Sequence, residues 1–102
     1  MAPALTVLLR DESVEVRVAA AQALEVLRSE QTVCLLIRAL EDEAVSVRAA
    51  AKSALVRTLS MPLDIDVHQD PDILLLEVET LLRWWSEART EGLPWSAPVV
   101  KA

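Results

Sequence analysis

Apolar residues recur at helical spacing along the first part of the chain. Val16, Ala20, Ala23, Leu24 and Leu27 fall at i, i+4, i+7, i+8 and i+11, with Glu15, Val18, Gln22 and Glu25 opposite. That period sets one stripe of a helix against a core. Ser13 stands where the N-cap belongs, its hydroxyl able to accept from the open amides of the first turn. A second stripe, Val33, Leu36, Ile37 and Leu40, predicts a helix from near Ser29 to about Glu41. A third, Val47, Ala51, Ala54, Leu55 and Thr58, predicts another. Here Ala44 replaces the capping serine, so Asp42 is expected to cap instead. Ahead of these, residues 3–10 predict a helix opened by Pro3 at its first position.

After Ser60 the period changes to two. Leu63, Ile65 and Val67 point one way and Asp64, Asp66, His68 and Asp70 the other, which predicts an extended segment over 61–71 laid across the helices. Pro71 bars a helix through this stretch but suits the first position of the next one, with Asp70 as its N-cap. That long helix is expected over 72–92, ending near Glu91, with Gly92 just past its end and Pro94 beyond. Its stripe is Leu74, Val78, Leu81, Trp85 and Ala88, widened by Ile73, Leu75, Leu76, Leu82 and Trp84. Trp84 and Trp85 point about 100° apart, so one surface is not expected to bury both rings. Residues 93–102 are expected to form an irregular tail.

A shift of 31 lays residues 5–29 over 36–60 with 12 identities in 25 positions and no gap. The phased block Asp11-Glu12-Ser13-Val14-Glu15-Val16-Arg17, followed by Ala19-Ala20 and Ala23-Leu24, returns from Asp42 to Leu55. The alanines let two helix axes approach closely and are strong helix formers. This repeat resembles the HEAT family, in the short bacterial form first associated with phycobilisome lyase subunits. The resemblance covers residues 3–60, one and a half units. It implies antiparallel helix pairs stacked as a right-handed α-solenoid. It also implies a structural ladder between successive turns, with Asp11, Arg17, Asp42 and Arg48 in the ladder positions. The expected fold is therefore all-α, a single-domain HEAT-like solenoid of about five helices. Residues 1–60 are its repeats, and the long C-terminal helix caps it.

Composition narrows the function. One Gly cannot supply a phosphate-binding glycine loop, and one Cys supplies neither a disulfide framework nor a cysteine zinc site. The net charge of −6 sets the surface against nucleic-acid phosphate and anionic membranes. Most of the excess acid lies in residues 61–102, with eight acidic and three basic side chains. No apolar run reaches the ~18 residues that span a bilayer, and no basic, apolar leader opens the chain. A cytoplasmic protein with a reduced thiol is expected.

Catalytic and metal chemistry find little support. The Asp64, Asp66, His68, Asp70 comb could face a hard cation, yet an EF-hand loop would need Gly at 69 and Glu at 75, where the chain has Gln and Leu. The comb reads as a solvated acidic face that caps the following helix. Cys34 has no histidine near it in sequence. No enzyme, cofactor or metal is expected. Two surfaces are expected to bind another protein or a second copy of the chain. Cys34, Leu35, Arg38 and Glu41 form one, on the helix 30–41. Leu5 and Leu8 of the N-terminal flank, with Trp84 and the tail residue Trp95, form the other, since tryptophan is enriched among interface anchors. The expected role is a non-catalytic adaptor or small assembly subunit. The alternatives are a subunit of a bilin lyase-like or chaperone-like complex and, less favoured by charge, a DNA-binding HEAT domain.

Overall fold

The computed structural model describes residues 7–27, 29–88 and 90. Four helices form among them: α1 (Val14–Leu27), α2 (Glu30–Ala39), α3 (Val45–Leu59) and α4 (Pro71–Ala88). Val7 and Leu8 are helical as well, and their carbonyls accept from Arg10 and Asp11. No strand occurs among the described residues. The helices form two layers. α1 packs along α3 in one layer, and α2 packs beside α4 in the other. The layers join where α2 packs on α1 and α3. The core between them holds Leu24, Val33, Leu36, Ile37, Leu55, Val78 and Trp85, all buried.

The helix starts follow local chemistry. Ser13 Oγ accepts from Val16 N at 3.4 Å, and Ser29 Oγ accepts from Thr32 N at 3.1 Å, so each serine satisfies an open first-turn amide. Asp70 Oδ1 accepts from Asp72 N at 2.8 Å and caps α4 behind Pro71. α3 differs from the sequence expectation. Ala44 occupies its N-cap with no side-chain cap, because the Asp42 carboxylate is taken by Ala44 N at 2.9 Å and by Arg17. α2 stops at Ala39, two residues short of Glu41, where tight i→i−3 bonds from Leu40, Glu41 and Asp42 close the helix. The described helix α4 runs to Ala88; the expected end near Glu91, Gly92 and the tail with Trp95 lie outside the described residues.

The buried stripe of α3 is the predicted one: Val47, Ala51, Ala54, Leu55 and Thr58 are all buried. On α1 the stripe is narrower. Ala20, Ala21 and Leu24 are buried, but Ala23 is exposed and Leu27 is 44% exposed. Ala21 rather than Ala23 is in the core because α1 has a neighbour on its α3 side and none among the described helices on the other. Between α3 and α4, Ile65 and Val67 are buried while Asp64, Asp66 and His68 are exposed. The alternation thus holds, although at residues 67–68 the chain turns, with Gln69 N donating to Asp66 O at 3.0 Å.

α3 ends at Ser60 in the left-handed region, φ 57° and ψ 38°, which lets the Ser60 and Met61 amides both reach Val56 O. A Cβ in that conformation costs about 1 kcal/mol. Ser60→Gly is therefore expected to stabilise the protein by about that amount, read as a higher urea midpoint at unchanged slope.

Candidate functional site

The turns before α1 and α3 are held by arginines of the repeated block. Arg17 is buried and aims its guanidinium at the turn before α3. Its Nε donates to Asp42 Oδ2 at 3.0 Å and Nη2 to Asp42 Oδ1 at 3.2 Å, a bidentate fork. Its Nη1 reaches back to the carbonyls of Asp11 at 2.6 Å and Glu12 at 3.3 Å. Arg48 repeats the backward contact, Nη1 to Asp42 O at 2.7 Å, but its Nε donates to Val67 O at 2.7 Å. The Asp11 carboxylate accepts from Ser13 N at 2.8 Å and meets no arginine among the described residues. Glu15, in the first turn of α1, has its pKa held below the usual carboxylate range by its own backbone amide and by the Ser13 hydroxyl.

These turns wall a cleft of about 390 Å³, lined by Leu9, Arg10, Cys34, Leu35, Arg38, Ala39, Glu41 and Asp42. The four α2 and post-α2 residues singled out from the sequence, Cys34, Leu35, Arg38 and Glu41, all meet here. The core side of α2 is Thr32, Val33, Leu36 and Ile37, so Cys34, Leu35 and Arg38 fall on the side turned away from it, toward residues 9–10. Cys34 and Leu35 are half-buried and packed on the core, while Arg38 and Glu41 are exposed at the rim. The cleft thus has an apolar floor and carries both signs of charge at its edge.

Of the second sequence-derived surface, Leu8 and Trp84 are among the described residues. Leu8 is 38% exposed ahead of α1. Trp84 is half-buried on α4, packed on the core, with its ring centroid 6.1 Å from that of the buried Trp85. α4 widens the core enough to bury one ring and shelter the other. Leu5 and Trp95 lie outside the described residues.

Sequence reasoning missed a groove of about 340 Å³ between the 63–65 segment and α4, lined by Leu63, Ile65, Ile73, Leu76 and Leu81 with Asp64, Glu77 and Thr80. Its walls are consecutive segments of different period, and no single periodicity contains them. Nothing in either depression forms a nucleophile–base pair. His68, the one histidine, donates its backbone amide to Asp66 Oδ1 on the far segment. No group of three or more His, Cys, Asp or Glu side chains converges to hold a metal among the described residues. No described helix is long and apolar enough to cross a membrane.

The energetics of the arginine fork are testable. Removing one partner of a buried pair strands the other, so Arg17→Ala is expected to destabilise the protein by about 3 kcal/mol. Arg57, paired with Glu25 at 3.5 Å and 70% exposed, is the control. Arg57→Ala should change stability by less than about 1 kcal/mol. Urea unfolding monitored by helical circular dichroism compares the two.

A family model for HEAT repeats matches residues 1–74. No curated protein and no solved structure matches the chain.

Proposed function

The chain belongs to the HEAT-repeat family, and from that premise we propose that it is a non-catalytic protein–protein interaction module, an adaptor or small assembly subunit working in the cytoplasm. The cleft beside α2 carries this reading. It offers an apolar floor of Leu9, Cys34 and Leu35 inside a rim that holds Arg10, Arg38 and Glu41. A partner inserts an apolar side chain over Leu35 and sets a carboxylate against Arg38, whose planar fork favours carboxylates. Glu41 selects for a base on the other edge. The net charge of −6 sets the chain as a whole against nucleic-acid phosphate. The Asp-Glu-x-Val-x-Val-Arg block keeps the phycobilisome-lyase type of repeat within this reading, as a subunit that shapes a complex rather than one that carries its chemistry.

Affinity capture from the native host compares the wild type with Leu35→Glu and Arg38→Glu, each first shown to keep its helical spectrum. Full burial of a leucine contributes about 2 kcal/mol, so the reading expects one stoichiometric partner whose recovery falls about tenfold or more in both variants. Equal recovery of all captured proteins by wild type and variants would sink it.

A further inference from the structure

The groove between residues 63–65 and α4 joins an uncovered apolar stripe to a carboxylate that the fold does not use. Ile73 and Leu76 are 45% and 63% exposed, and they line the groove with Leu63, the half-buried Leu81 and the buried Ile65. Glu77 stands one helical turn after Ile73 and one before Leu81, on the same side of α4. Its Oε1 is shut off from water and receives no hydrogen bond. Nearby carboxylates hold the chain in place: Asp66 accepts from His68 N and Asp70 from Asp72 N. Glu77 Oε1 holds nothing. A carboxylate oxygen that is desolvated and has no donor is unfavourable. This one belongs to a groove whose other charged wall residue is the acid Asp64, with no base among the lining residues. The surrounding charge has one sign. Asp64, Asp66, Asp70, Asp72, Glu77 and Glu79 all lie between Arg57 and Arg83, and no Lys or Arg does. Lys52, which reaches the segment from α3, is bound to Ile65 O.

We propose that this groove docks a segment of another protein in which an arginine or lysine lies between aliphatic side chains. The aliphatic side chains cover Ile73 and Leu76, and the cation meets Glu77 from the groove, with Asp64 on the facing wall. Arginine suits the position best, because its guanidinium is weakly hydrated and forks onto a carboxylate. The pair forms against apolar walls, where a charge contact is stronger than in open water. Charge complementarity selects this occupant. A second copy of the chain brings its own net charge of −6 against the same acid. A small amine leaves its apolar body in solvent, since the groove is bordered by the exposed Ile73, Leu76 and Thr80 and does not enclose. The groove shares no lining residue with the cleft at Leu35, so the two readings fail separately.

Panning a randomised library of short peptides on the full chain, followed by amide-resolved NMR titration of the enriched peptides, tests the assignment. Enriched sequences should carry an arginine or lysine flanked by aliphatic residues, and they should shift the amides of residues 63–65 and 73–81. Glu77→Gln keeps the shape and removes the charge, and it should weaken these peptides about tenfold or more, the weight of a hydrogen bond to a charged group. Leu76→Ser, at an exposed position, should weaken them about fivefold through lost apolar burial. Leu35→Glu should leave their affinity within about twofold of the wild type, because it alters only the other cleft. A library without enrichment, enrichment of neutral or acidic peptides, shifts elsewhere in the molecule, or equal affinity for Glu77→Gln overturns the proposal. Two further results would overturn the choice of occupant. One is a dimer by light scattering that Glu77→Gln dissociates, which assigns the groove to a second copy. The other is butylammonium binding as tightly as the enriched peptides, which assigns it to a small amine.

Discussion

The rest of the structure depends on the desolvated guanidinium of Arg17. A buried cation is tolerated only when its donors are met, and here a carboxylate fork and two carbonyls meet them. Those acceptors come from the turn before α1 and the turn before α3. One side chain therefore fixes the relation of two helices that are 25 residues apart at the contact. Once that relation is set, Ala20, Ala21, Ala51 and Ala54 allow the close approach that closes the core. The cleft at α2 follows from the same arrangement, because Asp42 belongs both to the fork and to the cleft wall.

Much of this was legible in the sequence because it is local or repeated. Ser13, Ser29 and Asp70 cap the helices they precede, and each cap depends on a few neighbouring residues. Cys34, Leu35 and Arg38 share one side of α2, so a helical wheel already groups them, and Glu41 follows just past its end. The exposure of Ala23 and Leu27 was not legible, because an apolar stripe says which side wants cover and not whether a neighbour is there. Asp42 was misread as a cap for a related reason: its carboxylate is claimed by a residue from another helix. The groove containing Glu77 was invisible because its two walls obey different periods and meet only through the tertiary fold.

The end of the repeat also has a residue-level cause. Ala21 is fully buried on the α3 side of α1, and its copy on α3 is Lys52. A lysine there blocks the close approach of a further helix. Its ammonium instead donates to Ile65 O at 2.6 Å, beside Arg48 on Val67 O. Extended backbone offers outward carbonyls at alternate residues, and that spacing matches two cations a turn apart on α3. The segment then delivers the chain across the molecule, so that α4 packs beside α2 and not beside α3.

The same substitution gives the stack a direction. A solenoid unit has two flanks of nearly equal chemistry, and a chain of identical units could extend from either. Here Lys52 and Arg48 convert one flank from a helix-accepting surface into a carbonyl-binding one, and their own cations are consumed in doing so. At the other flank Ala19, Ala23 and Leu27 of α1 are exposed, and the Asp11 carboxylate accepts from the Ser13 amide. Charge and shape therefore separate the flanks: the closed flank has spent its cations on backbone oxygen, and the open one presents a carboxylate whose counterpart inside the molecule is filled by an arginine.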